Sequence, residues 1–337
     1  LEPLAELDQQ IAVVGSGPAG LTAAYHLARF GYCVKIVESA PEIGGLLRSG
    51  IPEFRLPEKL VDREIDRILD LGIQVETNHR IDRQSLLELA RDHDAVLVAT
   101  GQQLQRELQL GVNGTDALEQ GIDFLDHVHQ GGVRVDGEDV VVIGGGNTAM
   151  DAARSALRLG AESVRVVYRR TREEMPAIRE EIDEAIEEGV KIDFLTQPID
   201  LQPADTNGER RHYRLTCRSM ALGDPDESGR PAPVEIPESD FELACHRLIL
   251  ALGQSPDVSV FPEGTEVREG TRLLGLRETP LFAIGDLATR EGTVAAAIGS
   301  GRRSAVHVHN MLSGEHVEIT RHAEALRDVD VWHDDVV

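Results

Sequence analysis

Two glycine-rich segments constrain the fold of this chain more than any other feature. Residues 15–20 have the sequence GSGPAG and follow the apolar run 11–14, and residues 144–149 have the sequence GGGNTA and follow the apolar run 140–143. In both places a buried strand would turn tightly into a helix, and the N-terminus of that helix would face a pyrophosphate group. A second apolar strand follows each helical pattern. The sequence therefore predicts an α/β fold with two Rossmann-like dinucleotide-binding units.

The residues of the two glycine segments have different expected roles. Gly15 would permit the tight turn, Gly17 would let the backbone approach a phosphate, and Gly20 would let the helix pack closely on the strand. In the second segment Ala149 replaces the third glycine, a variant that often accompanies NADP. The predicted nucleotide contacts are Gly15, Gly17, Pro18, Ala19 and Gly20 in the first unit, and Gly144, Gly145, Gly146, Asn147 and Thr148 in the second.

The second strands of the two units end in residues of opposite charge. Glu38 ends the first, and an acidic residue there can accept hydrogen bonds from both hydroxyls of an adenosine ribose. Arg169 and Arg170 end the other, where they would suit a ribose that carries a 2′-phosphate. The alternative is that these arginines only neutralise the glutamates just downstream. We expect two different dinucleotides, one of them NADPH, which is the layout of an electron-transfer protein.

The charge of the chain excludes some classes of partner. Its formal net charge of −25 would repel nucleic acid and anionic membranes, so neither is expected as a partner. No stretch approaches the ~18 apolar residues of a membrane span, and no signal-peptide pattern is present. The simplest interpretation of the acidity is solubility. Because the sequence begins at Leu1 and not at Met, we expect it to be a piece of something longer.

The cysteines exclude several kinds of redox centre. Cys33, Cys217 and Cys245 are far apart and form no C-x-x-C pair, which argues against a redox-active dithiol, a Cys₄ iron–sulfur cluster and any catalytic cysteine. Cys33 lies in a strand pattern and is expected to be a small buried hydrophobe. Three thiols without a secretory signal favour a reducing cytoplasm. No metal site is predicted, and the histidines of the C-terminal part have no ligand spacing.

The order of the patterns predicts a second unit inserted into the first. We expect a discontinuous first domain of residues 1–104 and 280–315, an inserted domain of residues 122–272, and a tail of residues 316–337. Two crossover segments, near 102–121 and 272–280, would join the domains. Within the insertion, residues 199–202 and 211–222 alternate like the two strands of a hairpin.

Four further segments resemble one known family. They are GGLL with GIPEFRLP (residues 44–57), GGGNTAMD (144–151), YRRTREEMP (168–176) and TPLFAIGD (279–286). Together they resemble the small (beta) subunit of bacterial glutamate synthase, within the pyridine nucleotide-disulfide oxidoreductase superfamily. The flavin and NADPH modules of dihydropyrimidine dehydrogenase and adrenodoxin reductase are more distant relatives. The resemblance covers about residues 4–313.

The resemblance implies FAD in the first domain and NADPH in the second. Glu38 would hold the adenosine ribose of FAD, and Thr293 and Val294 would direct backbone N–H groups at the flavin, near the edge where charge develops. Hydride passes between the two cofactors, so no acid–base catalytic residue is required. Further FAD contacts implied by the family are Gly45, Leu46, Ile81, Ala99, Thr100, Gly101, Gly285 and Asp286, and Gly253 is a further NADPH contact.

The chain departs from this family in one respect. Family members carry a cysteine-rich segment that binds iron–sulfur clusters ahead of the flavin domain, whereas here only residues 1–10 precede the first strand. The sequence therefore predicts an FAD module that oxidises NADPH and passes electrons to iron–sulfur clusters of a missing domain or a partner subunit. The alternatives are a non-catalytic nucleotide-binding or scaffold subunit and a flavin monooxygenase.

Overall fold

The first part of the chain alternates strands and helices. The computed structural model describes residues 7–108, 110, 118–204, 212–226, 229–261, 280–314 and 317. Because its strands are almost wholly apolar, they are suited to a parallel sheet that is covered on both faces. The elements are β1 (Gln10–Val14), α1 (Pro18–Arg29), β2 (Cys33–Val37), α2 (Leu46–Ser49), α3 (Glu58–Leu69), β3 (Gln74–Glu76), α4 (Arg83–Asp92) and β4 (Ala95–Val98).

The middle of the chain repeats this alternation and then adds antiparallel strands. Its parallel part holds β6 (Leu118–Gln120), α5 (Gly121–His129), β7 (Asp139–Ile143), α6 (Asn147–Arg158), β8 (Ser163–Val167), α7 (Arg179–Glu188) and β9 (Lys191–Asp193), preceded by the short β5 (Leu104–Gln105). It continues with β10 (Thr196–Pro203), β11 (Tyr213–Pro225), β12 (Pro231–Cys245), β13 (Arg247–Leu250) and β14 (Gln254–Ser255). The end of the chain forms β15 (Leu281–Ala283), α8 (Asp286–Thr289) and α9 (Val294–Ser313).

Two five-stranded parallel sheets organise the molecule. The first has the strand order β15-β4-β1-β2-β3, and the second has the order β6-β13-β7-β8-β9. Strand β15 comes from the end of the chain, whereas every strand of the second sheet lies between β4 and β15. This confirms the predicted α/β fold with one Rossmann-like unit inserted into the other. In each sheet the strand before the glycine segment is central, which puts a topological switch point at its carboxyl end.

The helix from the end of the chain packs directly on the first glycine helix. A Cβ atom added at Gly301 of α9 would lie 2.3 Å from the backbone oxygen of Ala19 in α1, so the two helices touch through their backbones. On this face of the sheet, α1, α3 and α9 bury one apolar cluster, and α4 covers the opposite face. Helix α9, from the C-terminal part of the chain, therefore packs beside the first glycine segment.

The antiparallel strands form a three-stranded sheet with the order β10-β11-β12. The predicted hairpin is present as the pairing of β10 with β11, in which Leu201 opposes Leu215. Strand β12 has no counterpart among the sequence predictions, although it has the most residues of the described strands. It contains Pro231, Pro233 and Pro237, which argue against a strand, but β12 lies at the edge of the sheet, where proline is tolerated.

The chain passes between the two units at two neighbouring places. Strand β5 pairs antiparallel with β14, so the outgoing and returning chain run side by side. Phe261 is already buried in the core of the first unit, beside Leu86 and Val96. The predicted boundary of the inserted domain at residue 272 stays a prediction, and the position of Phe261 favours an earlier return. Residues 262–279 and the tail beyond residue 317 lie outside the described residues.

Candidate functional site: two dinucleotide cradles

The three glycines of the first segment meet three different environments. Gly15 has φ +97°, and a Cβ there would lie 2.6 Å from the backbone oxygen of Ala99, while a Cβ at Gly20 would lie 2.0 Å from the oxygen of Gly15. These two glycines are required by the fold itself. Gly17 differs, because no described atom lies within 4 Å of its missing Cβ and its φ of −67° is ordinary. The fold does not need a glycine there, so the open space at Gly17 is room for a ligand.

The start of α1 has the properties of a phosphate site. Its N-cap residue is Gly17, and within the described part of the chain no side chain accepts a hydrogen bond from the first N–H groups of the helix. Unpaired N–H groups and the helix dipole favour an anion at this point. The second wall is Gly45, whose missing Cβ would lie only 3.0 Å from Cα of Gly17. The two loops therefore form a narrow backbone cradle, and the predicted contacts of Gly17 and Gly45 with FAD stay predictions.

Glu38 is the centre of a buried hydrogen-bond network. One carboxylate oxygen accepts bonds from the backbone N–H and the hydroxyl of Ser16, at 2.8 and 2.6 Å, and the other accepts from the backbone N–H of Ala40 at 2.9 Å. The Ser16 hydroxyl oxygen in turn accepts from the N–H of Gly44 at 3.0 Å. Ser16 thus connects the glycine turn, the end of β2 and the Gly44-Gly45 loop. Sequence reasoning passed over it because Ser16 occupies a variable position of the glycine pattern.

The remaining predicted FAD contacts line the same edge of the first sheet. Thr100 follows β4 beside Gly15, and its hydroxyl is buried without a hydrogen-bond partner among the described residues. A buried unpaired hydroxyl costs free energy unless a ligand or water satisfies it. Gly285 has φ +64° and lies against Ala19, and burial raises the pKa of the neighbouring Asp286 carboxyl. Gly101 follows Thr100, Ile81 is half-buried under α4, and Leu46 and Val294 are exposed at the cradle.

Helix α9 begins at this edge as well. The Thr293 hydroxyl caps it by accepting a hydrogen bond from the N–H of Ala296 at 3.2 Å. The cap leaves earlier N–H groups of the helix, including that of Val294, for another acceptor. The residues present therefore fit a dinucleotide that extends from Glu38, over Gly17 and Gly45, to the start of α9.

The second glycine segment repeats the first in detail. Gly144 has φ +148°, and its Cβ would lie 2.2 Å from the oxygen of Ala251, just as Gly15 lies under Ala99. No described atom lies within 4 Å of the missing Cβ of Gly146, the N-cap of α6, and this helix also has no side-chain cap among the described residues. Gly253, two residues after Ala251, corresponds to Gly101 and likewise has a positive φ. The second unit therefore has its own phosphate cradle.

Two residues of the second segment make contacts within the protein that the sequence did not predict. A Cβ at Gly145 would lie 2.5 Å from the ring of Tyr168, so this glycine is required for packing. The side-chain oxygen of Asn147 accepts a hydrogen bond from the N–H of Ile178 at 2.9 Å and holds the start of α7. Thr148 follows in the first turn of α6. Their predicted contacts with NADPH stay predictions.

Tyr168 occupies the place that Glu38 has in the first unit. The N–H of Gly15 donates to the backbone oxygen of Val37, and that of Gly144 donates to that of Val167. The next residues, Glu38 and Tyr168, donate from their N–H groups to the edge strands β3 and β9. Among the described residues, therefore, Tyr168 and not a carboxylate follows the second strand at the ribose position of the second cradle. An acidic side chain there would repel a 2′-phosphate, so this difference favours NADPH over NADH.

The two arginines after Tyr168 lie in opposite environments. Arg170 is buried, donates to Asp226 at 2.5 Å and to the backbone oxygen of Pro231 at 2.8 Å, and so ties β8 to the antiparallel sheet. Arg169 is exposed and forms no hydrogen bond or ion pair with the residues that the structure describes. Partial burial and repulsion from Arg170 and Arg230 lower its pKa. The geometry thus favours Arg169 over Arg170 as the phosphate ligand.

An apolar cleft of about 730 Å³ connects the two units. It lies between α1, α3 and α9 of the first unit, and it reaches the charged side chains Arg154, Glu181 and Glu184 of α6 and α7. Its lining includes Pro18 and Val294, the first residues of α1 and α9, next to the first cradle. A group held at the start of α1 and α9 would therefore border an apolar space that opens toward the second unit.

Among the described residues, the cysteines and the remaining polar side chains form neither a disulfide nor a metal site. Cys33 was expected to be buried, which is wrong: it is the first residue of β2, and its exposed thiol points to the backbone oxygen of Leu7 at 3.6 Å. Cys217 and Cys245 are buried, and burial raises the pKa of both thiols to about 12. The described residues contain no group of three or more side chains that could hold a metal ion, and no described helix could span a membrane.

Comparison with known proteins agrees with this geometry. A family model described as pyridine nucleotide-disulphide oxidoreductase matches residues 9–301. The chain is 40% identical to the NADP(+)-dependent formate dehydrogenase subunit beta of Moorella thermoacetica, over 90% of this chain and 44% of that protein. It is 38% identical to the NADPH-Fe(3+) oxidoreductase subunit beta of Geobacter sulfurreducens, over 90% of this chain and 50% of that protein. The chain thus spans about half the length of these two relatives.

Two further comparisons cover more of the matched protein. The glutamate synthase [NADPH] small chain of Azospirillum brasilense is 35% identical, over 91% of this chain and 67% of that protein. Among solved structures, Mycobacterium tuberculosis FprA in complex with NADPH has a TM-score of 0.75 at 18% identity, with 96% of this chain and 89% of that chain covered. At this identity the structural likeness supports the fold alone.

Proposed function

Because the chain belongs to the pyridine nucleotide-disulphide oxidoreductase family, in the group of glutamate synthase small chains, we propose that it is an FAD-containing module that oxidises NADPH. Its electrons go to iron–sulfur clusters carried by another domain or by a partner subunit. The observation that carries the proposal is the pair of like-built cradles whose ribose positions differ, Glu38 in one and Tyr168 followed by Arg169 in the other.

The first cradle suits FAD. Glu38 is buried with its carboxylate held in place by Ser16 and Ala40, so it can accept hydrogen bonds from the adenosine ribose without having to be ordered first. Gly17 and Gly45 leave room for the pyrophosphate, and the N–H groups of α1 offset its charge. Thr100 offers a buried hydroxyl that lacks a partner among the described residues. The start of α9 would face the flavin.

The second cradle suits NADPH. Gly146 leaves the corresponding room for a pyrophosphate, Tyr168 puts no negative charge beside the ribose, and Arg169 is available to a 2′-phosphate. The names of three relatives also share NADP or NADPH, while the second reactants in those names differ. That pattern supports a module that always oxidises NADPH, while other parts of each complex supply the electron acceptor.

Hydride transfer between two bound nucleotides depends mainly on positioning. When bound, FAD supplies a ring that takes up hydride and gives up electrons singly. The protein's own contribution is to hold both nucleotides by backbone N–H groups, to keep Glu38 and Arg169 at the two ribose positions, and to exclude water with the apolar walls of the cleft. No acid–base residue is assigned, because none of these tasks requires proton transfer by a side chain.

The electron acceptor lies outside the described residues in this proposal. The chain has three cysteines, fewer than the four that a cluster requires, and two of them are buried as neutral thiols. We therefore assign the clusters to a further domain or a partner subunit, and the location to a reducing cytoplasm, where unpaired thiols persist. The apolar cleft beside Val294 is the route by which an acceptor could approach the first cradle.

The purified protein is expected to be yellow and to release FAD, not FMN, on denaturation. Anaerobic NADPH should bleach the flavin absorbance, and ferricyanide or a tetrazolium dye should be reduced with NADPH as the donor. Glutamine and 2-oxoglutarate should give no glutamate with this chain alone. A protein that stays colourless with added FAD would instead favour a non-catalytic scaffold, and efficient turnover of a small organic substrate would contradict the module.

The cysteines are expected to take no part in this reaction. Iodoacetamide should label Cys33 in the folded protein, whereas Cys217 and Cys245 should react only after denaturation because they are buried and protonated. Mass spectrometry measures the labelling. A variant with all three replaced by serine or alanine should reduce its flavin with NADPH at the wild-type rate. A rate that collapses in a folded triple variant would show that a thiol takes part.

A further inference from the structure

One arginine of the first unit reaches across to two carboxylates of the second. Arg55 lies in the GIPEFRLP segment between α2 and α3. Its Nη1 donates to both carboxylate oxygens of Asp151 at 2.8 Å, and its Nε lies 2.7 Å from Glu181. Asp151 is on α6 and Glu181 is on α7, so a single guanidinium group joins the flavin-side loop to two helices of the NADPH unit.

The neighbouring Phe54 strengthens the same contact. Its ring lies beneath the guanidinium groups of two arginines of α6. The Cζ atom of Arg158 is 4.1 Å from the ring centre, and the Cζ atom of Arg154 is 4.8 Å from it. Arg154 is itself buried and pairs with Glu181 at 2.5 Å, so it belongs to the same network as Arg55. Such cation–π contacts add attraction where the cation is partly desolvated. We call Phe54, Arg55, Asp151, Arg154 and Glu181 the interdomain clamp.

Burial makes the charges of the clamp sensitive to their partners. The side chain of Asp151 is 5% exposed and that of Arg154 is 4% exposed. Burial raises the pKa of Asp151 to about 6, with a smaller contribution from the nearby Glu181 carboxylate, although Arg55 and Arg154 lower it. Buried ion pairs seldom increase stability over apolar packing, but they impose one geometry on the elements that they join. The clamp is therefore better suited to fixing an orientation than to stabilising the fold.

We propose that Arg55 is a positioning residue, which holds the two nucleotide-binding units in the orientation that hydride transfer requires. The inference rests on the proposed function. Asp151 lies in the helix that starts at the second phosphate cradle, and Arg55 follows the Gly44-Gly45 loop of the first cradle. The clamp thus connects the helix that begins at the second cradle with the segment that follows the loop of the first cradle. Units joined by two crossovers move relative to each other by default unless contacts of this kind restrain them.

Rapid mixing of the reduced nucleotide with the flavin-loaded protein measures the effect on the reaction. Arg55→Ala should lower the limiting rate constant of flavin reduction about tenfold to a hundredfold, because small misplacements of the reacting groups have effects of this size. Its dissociation constant for NADPH should change less than about threefold, because Arg55 contacts neither cradle. The rate constant of Arg55→Lys should lie between those of the wild type and Arg55→Ala, since lysine cannot pair with both carboxylates in the same way. Arg218→Ala is the matched control: this arginine also pairs with two carboxylates, Glu235 and Asp240, but within one hairpin.

The pH profile separates a positioning role from a general loss of stability. Asp151 faces Arg55 from the flavin-side loop, Arg154 on its own helix and Glu181 on α7. As the pH falls through about 6, protonation of Asp151 weakens its hold on Arg55, so the rate constant of the wild type should fall. Asp151→Asn should be slow at every pH and lack this step. A step that persists unchanged in Asp151→Asn would contradict the assignment.

A distance measurement tests the clamp without the reaction. In a Cys33→Ser background, spin labels at Asp66→Cys on α3 and Lys191→Cys on β9 should give one narrow distance distribution. Adding Arg55→Ala should broaden it, and adding Arg218→Ala should not. Unchanged distances with an unchanged rate in Arg55→Ala would overturn the inference. If NADPH fails to reduce the wild-type flavin while the distances respond as expected, the proposed function is wrong and the clamp stands.

Discussion

Gly17→Val is expected to give a folded protein that binds FAD more weakly, and Gly146→Val a yellow protein that needs a higher NADPH concentration to reduce its flavin. Both glycines are N-caps with negative φ, and no described atom lies within 4 Å of either missing Cβ. The new side chains would therefore start from ordinary backbone geometry, with a Cβ atom in open space. They would occupy the space proposed for the two pyrophosphates, at a cost of about 1–3 kcal/mol, or roughly fivefold to more than a hundredfold in affinity.

The controls for this pair lie in the same turns. Gly20→Ala should destabilise the fold itself, because its Cβ would lie 2.0 Å from the backbone oxygen of Gly15. Calorimetry should show a lower melting temperature for Gly20→Ala and a value near wild type for Gly17→Val and Gly146→Val. Flavin content and NADPH titration give the two affinities. Wild-type affinity for FAD in a folded Gly17→Val protein would show that the first cradle holds no pyrophosphate.

Arg169→Ala is expected to weaken NADPH binding about tenfold to a hundredfold and to leave NADH binding nearly unchanged. Loss of a hydrogen bond between a guanidinium group and a phosphate costs roughly 1.5–3 kcal/mol. NADH lacks the 2′-phosphate, so it loses nothing. Flavin reduction measured at a series of concentrations of each nucleotide gives the two affinities, and their ratio isolates the phosphate.

Two neighbouring arginines serve as controls for Arg169. Arg172 is exposed and pairs with Asp183, so Arg172→Ala should not change the preference for NADPH. Arg170→Ala should lower the melting temperature, because it removes the ion pair of Arg170 with Asp226 and its hydrogen bond to Pro231. If wild-type protein uses NADH as well as NADPH, or if Arg172→Ala has the larger effect on preference, the assignment of Arg169 is wrong.

The sequence predicted the parts of the site that depend on local backbone chemistry. A tight glycine turn between an apolar strand and a helix has few alternative conformations, so residues 15–20 and 144–149 each specified strand, turn and helix without knowledge of the rest of the chain. The place of β15 after the second glycine segment likewise predicted an inserted unit. Glu38 was identifiable because the length of a βαβ unit fixes where its second strand ends.

Other parts of the site depend on contacts between residues far apart in sequence. Arg55 and Asp151 are 96 positions apart, and neither belongs to a pattern that names the other. Arg169 and Arg170 are adjacent and looked equivalent, but the folded chain buries the side chain of Arg170 and leaves that of Arg169 exposed. Strand β12 has an unfavourable composition, and only its edge position makes its prolines acceptable.

The sequence by itself determined that this chain forms two dinucleotide-binding units, one within the other, and which ends of the strands face the nucleotides. Only the tertiary structure decided which of the two arginines is exposed, that Cys33 is exposed, and that Arg55 joins the two units. The physical reason is the range of the interactions. Turn geometry and strand burial act over a few neighbouring residues, whereas ion pairs and side-chain exposure depend on elements that only folding brings together.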